Sequence, residues 1–165
     1  LEAGDAVVHL PDFFGPHVHT STLQMPLQDV SAGKRITWMG SADTGREYAY
    51  IPDAMRIVSD LALRDEAYGG SWIVPGSGLL SARRLAAIAG RHLEREVKVR
   101  AAPGWLLKLL ALVSSDLRAF RPMLDDYLQP IRYDASKLTG LLGPQETTSY
   151  EAAIPATLDH LARGR

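Results

Sequence analysis

The chain has 165 residues, 46% of them hydrophobic, a formal charge of −1 and no cysteine. That is enough for one domain, or a domain with an extension, around a real core. Near-neutral charge excludes a broad basic field for nucleic acid or anionic lipid, and the lack of thiols excludes disulfides, thiolate metal sites and a cysteine nucleophile.

No apolar run has the length of a membrane span, and Leu1–Asp5 lacks the basic-then-apolar pattern of a secretion signal, so the cytoplasm is the default compartment. The start reads as the middle of a protein: there is no initiator Met, and an apolar strand follows at once.

That strand, Val7–Leu10, is apolar apart from His9 and gives way to a loop from Pro11 to Pro16. Val18, Leu23, Leu27 and Val30 fit one helical face, which Pro26 interrupts. Arg35–Met39 reads as a strand, Gly40–Gly45 as a turn, and the alternating, tyrosine-rich Arg46–Ile51 as a second strand, together a hairpin. Pro52-Asp53 opens the clearest helix, with Ala54, Ile57, Val58, Leu61 and Ala62 on one face. A turn at Gly69-Gly70 leads to a strand over Ser71–Val74. Ser81 caps the next helix, with Leu85, Ile88, Ala89, His92 and Leu93 inward. Glu96–Arg100 is a small strand, and Pro103-Gly104 introduces a helix over Trp105–Val113 that continues, with a break, to Tyr127. Pro130–Tyr133 is extended, and Ser136–Leu142 is a short helix ended by Gly143-Pro144. Thr148 and Glu151 have capping-box spacing at the start of a last helix, whose first turn Pro155 should bend.

Three clusters carry chemistry in principle. Gly76-Ser77-Gly78 follows a strand and precedes a helix, which is close to a dinucleotide fingerprint, but Ser81 stands where the third glycine belongs. A capped helix after a turn is the better reading. Tyr133 and Lys137 have the spacing at which a helix lets a lysine lower a tyrosine's pKa; Asp134–Ser136 looks like a helix start, which leaves Tyr133 outside. His9, His17 and His19 lack the carboxylate or thiolate company of a metal site and read as polar loop residues near a ligand. Ser81, Ser114, Ser115 and Ser149 sit in no Gly-x-Ser-x-Gly frame. The leucines of 106–112 suit a core or a subunit face.

Four segments, in this order, resemble the C-terminal half of the extended short-chain dehydrogenases/reductases, the NAD-dependent epimerase/dehydratase group. His9–Pro16 is similar to that family's Arg-Pro-x-Asn-Val-Tyr-Gly-Pro segment, and Arg46–Asp53 to its Arg-Asp-Phe-Val-Tyr-Val-x-Asp segment. Trp72–Gly78 with Ser81 resembles its Tyr-Asn-Val-Gly strand, turn and capped helix; Lys137–Gly143 and Thr148–Leu161 resemble its closing turn and helix.

The resemblance implies an α/β fold: the last parallel strands of a Rossmann-type sheet plus a small helical and β-hairpin substrate domain. It implies a single substrate-binding region over residues 1–165, with the glycine-rich cofactor loop and the catalytic Tyr-x-x-x-Lys in an N-terminal half outside this chain. The cofactor would be NAD or NADP. Pro11, Asp12 and Phe13 match the loop beside the nicotinamide, mostly by backbone; Asp12, Phe14, His17 and Arg46 are the substrate-side candidates. No catalytic and no metal-binding residue is expected here. His9, Asp12 and Phe14 replace the family's Arg, Asn and Tyr, which argues against a nucleotide sugar, and Phe13, Phe14, Trp38 and Trp105 point to a less polar substrate. The expected partners are a small-molecule substrate and either a second copy or the N-terminal half, with no nucleic acid and no membrane. The implied function is the substrate-binding part of an oxidoreductase, epimerase or dehydratase, inactive alone; the alternative is a non-catalytic relative that senses a nucleotide or binds a protein.

Overall fold

The computed structural model describes residues 4–104, 109 and 129–164. The helix expected over 105–127 therefore lies almost wholly outside the described residues. The strands are β1 (Val7–His9), β2 (Phe13–Phe14), β3 (Ile36–Met39), β4 (Arg46–Glu47), β5 (Ala49–Tyr50), β6 (Ser71–Ile73), β7 (Leu79–Leu80) and β8 (Val99–Ala102). The helices are α1 (Gln24–Ser31), α2 (Ile51–Ala62), α3 (Ala82–His92), α4 (Ser136–Leu142) and α5 (Tyr150–Arg163).

Parallel pairing dominates, as expected of an α/β chain. β1 runs beside β6 in the register Val8 to Trp72, β2 beside β5, and β3 beside β8 in the register Trp38 to Ala101. Parallel strands need long crossovers. The chain returns to β6 through α2 and reaches β8 through α3.

Two apolar clusters result. The smaller joins α2, β6 and α4 through Ile57, Leu61, Trp72, Val74 and Leu138, with Val8 and Leu10 packed against it. The larger joins α1, β3, α3 and α5 through Leu27, Ile36, Leu85, Ile154 and Leu158, with Phe14, Tyr48 and Tyr150 at its inner end. Residues 48 and 49 fall on either side of the seam, Tyr48 in the larger cluster and Ala49 in the smaller.

Several elements form as their sequences dictate. In α2, Pro52 and Asp53 occupy the first turn, and Ala54, Ile57 and Leu61 are buried. In α3, the Ser81 hydroxyl accepts from the Arg84 N–H, capping the helix. His92 is only half-buried and pairs with Asp159 of α5 at 2.7 Å.

Other expectations are corrected. There is no hairpin between β3 and the Arg46 segment: β8 lies against β3, and β4 pairs antiparallel with β7 instead. Nor is Arg46–Ile51 one strand. It breaks at Tyr48, whose N–H donates to the Tyr150 hydroxyl while its carbonyl accepts from Ser77 N–H, and Ile51 already begins α2. Pro26 does not interrupt a helix, because α1 starts at Gln24 and leaves Pro26 in the first turn, where its missing N–H is not needed. The strand expected at Glu96–Arg100 sits at Val99–Ala102. The last helix has Ser149 at its N-cap position without a side-chain cap bond, and the Thr148 box does not form. Thr148 instead donates through its N–H and hydroxyl to the Asp53 carboxylate, and Glu151 pairs with Arg84.

Candidate functional site

Asp12 follows the C-terminal end of β1, the end at which parallel α/β sheets take ligands. Its carboxylate is already held. Oδ1 accepts from the N–H of Phe13 at 3.1 Å, and Oδ2 accepts from the N–H of Thr22 at 2.9 Å and from the Thr22 hydroxyl. Asp12 thereby fixes the loop that leads into α1, while Ser21 Oγ accepts from Gln24 N–H and steadies the first turn. Two oxygens offer about four acceptor sites, so one remains for a ligand.

Beside Asp12 opens a cavity of about 450 Å³, within the usual range for small-molecule sites. Met25 and Pro26 of α1, Trp38 and Met39 of β3, and Tyr48 form its apolar wall. Thr20, Ser21, Thr22 and Thr37 supply hydroxyls, and Arg46, Asp12 and Asp29 supply charge. Along β3, Trp38 is buried with its ring edge-on to Tyr48, centroids 6.5 Å apart, while Thr37 is exposed. Asp12 and Arg46, far apart in sequence, thus share one cavity. Trp38 of the aromatic candidates joins them.

The remaining candidates fall elsewhere. Phe14 is fully buried, ring-to-ring with Tyr50 at 5.6 Å and with Tyr150 at 6.0 Å, and acts as a core residue out of reach of the cavity. Its neighbour Phe13 points the other way and is 36% exposed, and Pro11 is buried. Gly15 follows at a φ of 137°, where a Cβ would meet Ile51 Cγ2 at 2.8 Å; the chain must be bare to pass. His17 turns toward α5. Its N–H donates to His160 Nε2 at 3.4 Å, and the two rings meet edge-on at 4.6 Å. His9 bonds Ser71 across the β1–β6 pair, and the His19 carbonyl accepts from Gln28, so the three histidines are engaged in separate places.

Both decoy motifs close on one residue that sequence reasoning passed over. Glu47 Oε1 accepts the Gly76 N–H at 3.0 Å, and Oε2 accepts the Tyr133 N–H at 2.8 Å. The glycine turn that resembles a phosphate cradle therefore holds a carboxylate of its own chain. Gly76 is required for packing, since a Cβ there would lie 2.6 Å from the Tyr48 carbonyl oxygen. Tyr133 lies outside α4, and Lys137 donates to the Ser71 carbonyl and sits 4.4 Å over the Trp72 ring. The signal for Glu47 was its place in the Arg46–Asp53 segment.

Tyr150 ties this frame together. Its hydroxyl accepts from Tyr48 N–H and lies 2.7 Å from the Gly78 carbonyl, and Arg84 lies over its ring. Burial pushes the phenol well above its usual range. Burial, then the Asp53 charge, also raise the Tyr50 phenol.

No family model matches the chain, and no curated protein does. Solved structures do. UDP-glucuronic acid 4-epimerase from Bacillus cereus, in complex with UDP-glucuronic acid and NAD, matches with a TM-score of 0.72 at 14% identity over 97% of this chain and 46% of its own. dTDP-glucose 4,6-dehydratase from Bacillus anthracis, in complex with NAD, matches with a TM-score of 0.67 at 11% identity over 95% of this chain and 44% of its own. RMD from Pseudomonas aeruginosa, complexed with NADPH, matches with a TM-score of 0.66 at 12% identity over 95% of this chain and 47% of its own.

The fold is thus that of the extended short-chain dehydrogenases/reductases, as the ordered motifs implied, and the chain spans about half the length of the structures it matches. Among the described residues no helix is long and apolar enough to cross a membrane.

Proposed function

We propose that this chain is the substrate-binding half of an NAD(P)-dependent oxidoreductase, epimerase or dehydratase, inactive by itself. One observation carries the reading: Asp12, just past the end of β1, and Arg46 of β4 line a single cavity of about 450 Å³ on a fold whose solved examples carry NAD or NADPH. The residues at the β1 end fit a nicotinamide neighbour. Pro11 and Phe13 bring backbone and an exposed ring to the sheet end, and Asp12 locks them in place through Phe13 N–H. The cofactor, when bound, supplies or accepts hydride. This chain's own residues position the substrate: the Trp38 and Tyr48 wall excludes water, and Arg46 orients a polar group. The acid–base pair and the main dinucleotide loop belong to a second half of the enzyme, which this chain completes by docking as its substrate lobe.

The test is a fluorescence titration with NADH and NADPH. The 165-residue chain alone should leave the nucleotide's emission unchanged, and the chain joined to a dinucleotide-binding N-terminal half should enhance it. A joined protein that ignores both nucleotides overturns the proposal. Retained binding without any turnover would favour the nucleotide-sensing alternative.

A further inference from the structure

Charge is unevenly distributed in the cavity wall. Among the described lining residues there is one cation, Arg46, against two carboxylates, Asp12 and Asp29. Asp12 cannot swing away, because Phe13 and Thr22 hold both its oxygens. Among the described residues Asp29 pairs with Lys34 at 3.6 Å, and both side chains of that pair are exposed. A nucleoside diphosphate brings two or more negative charges, and among the described lining residues it would meet two carboxylates and one cation.

The uncharged part of the wall points the same way. Met25, Pro26, Trp38, Met39 and Tyr48 offer an apolar slot. Thr20 and Thr37 are exposed at its rim, and their hydroxyls can both donate and accept. Such groups suit neutral oxygen functions.

We infer that this cavity takes a weakly polar, phosphate-free substrate, an aromatic or aliphatic body bearing hydroxyl or carbonyl groups, and that Asp12 and Asp29 turn nucleoside diphosphates away. The inference rests on the reading of the cavity as a substrate site and narrows it. Asp12 is a specificity-determining residue in this scheme, and Trp38, buried at the back of the slot, senses its occupancy.

The experiment follows the indole N–H resonance of Trp38 in the 15N-labelled chain, assigned with Trp38→Phe. The probes are cinnamyl alcohol and uridine diphosphate. Cinnamyl alcohol should move the resonance at millimolar concentration, and uridine diphosphate should leave it in place. Asp29→Asn should strengthen uridine diphosphate binding severalfold, and Asp12→Asn with Asp29→Asn by about tenfold, as expected for removing one and two repulsions. Asp29→Asn alone keeps the test intact should the Asp12 substitution loosen the loop. Uridine diphosphate that moves the resonance of the unsubstituted chain more readily than cinnamyl alcohol overturns the inference, as does a resonance that cinnamyl alcohol leaves unmoved. A positive result here together with a joined protein that ignores NADH and NADPH would keep the ligand class and remove only the enzymatic reading.

Discussion

The two apolar clusters are built differently. The larger one is enclosed by three helices: α1 and α3 pack on β3, and α5 packs on both α1 and α3. The smaller one rests on the β1–β6 pair with α2 and α4, and its margin stays open: Val7 is 37% exposed at the start of β1, and His9 is exposed at its end. A cluster closed by helices on its own chain can hold its shape by packing alone. One with a short two-stranded sheet at its edge has backbone groups left for a further strand. Asp12 follows β1 of the open cluster, while Trp38 and Tyr48 belong to the closed one, so the cavity lies where the two clusters meet.

This contrast breaks first at Trp72. Its ring fills the smaller cluster, its indole N–H donates to the Ala67 carbonyl at 2.8 Å, and Lys137 covers its face. Trp72→Ala should cost about 3–5 kcal/mol in urea unfolding. Hydrogen exchange should then show protection lost from β1 and β6 while β3 and β8 keep theirs. Equal loss in both pairs would show that the two clusters melt as one unit.

A smaller effect is expected at the seam. Tyr150→Phe removes the hydroxyl shared by Tyr48 and Gly78 and should cost about 1–3 kcal/mol. The pH dependence carries the signature. The phenol is held neutral, with its folded pKa above the unfolded value of about 10, so its contribution is complete below that pH and is lost as the pH rises further. An alkaline unfolding limb that is shallower in Tyr150→Phe than in the parent confirms the sign. The raised Tyr50 phenol works in the same direction and should keep part of the limb.

The smallest effect lies on the surface of the closed cluster. Arg84 bonds both oxygens of Glu151 and holds that carboxyl below its ordinary range. The pair joins α3 to α5, but both side chains are nearly half exposed. Arg84→Met should therefore cost about 0.5 kcal/mol or less, mostly at low salt. With a depressed carboxyl the contribution is present above the unfolded glutamate value of about 4.3 and disappears as the pH falls through the folded one. A Tm difference that persists in acid would assign the loss to Arg84 packing on the Tyr150 ring instead.

Much of this was legible in the residues. Ala54, Ile57 and Leu61 announced the buried face of α2, and Ser81 its cap on α3, because helix period and capping are decided within a few residues. The ordered segments at His9, Arg46, Trp72 and Lys137 announced the fold that the solved structures share. The reading of Arg46–Ile51 as one arm of a hairpin failed because alternation reports that a segment is extended, not which strand lies beside it. Phe14 was placed in the site and lies in the core, since two adjacent aromatics do not tell which one faces inward until β2 finds β5.

The sequence by itself therefore determined the local elements, the lack of thiol chemistry and the order of motifs along a parallel α/β chain, all of which depend on neighbours a few positions away. Only the tertiary structure decided that β3 pairs with β8, that Glu47 closes both the Gly76 turn and the Tyr133 segment, and that Asp12 and Arg46 share one apolar-walled cavity. Those outcomes depend on which backbone donors and side chains remain unmatched once the long crossovers close, and hydrogen-bond demand of that kind is met across space, not along the chain.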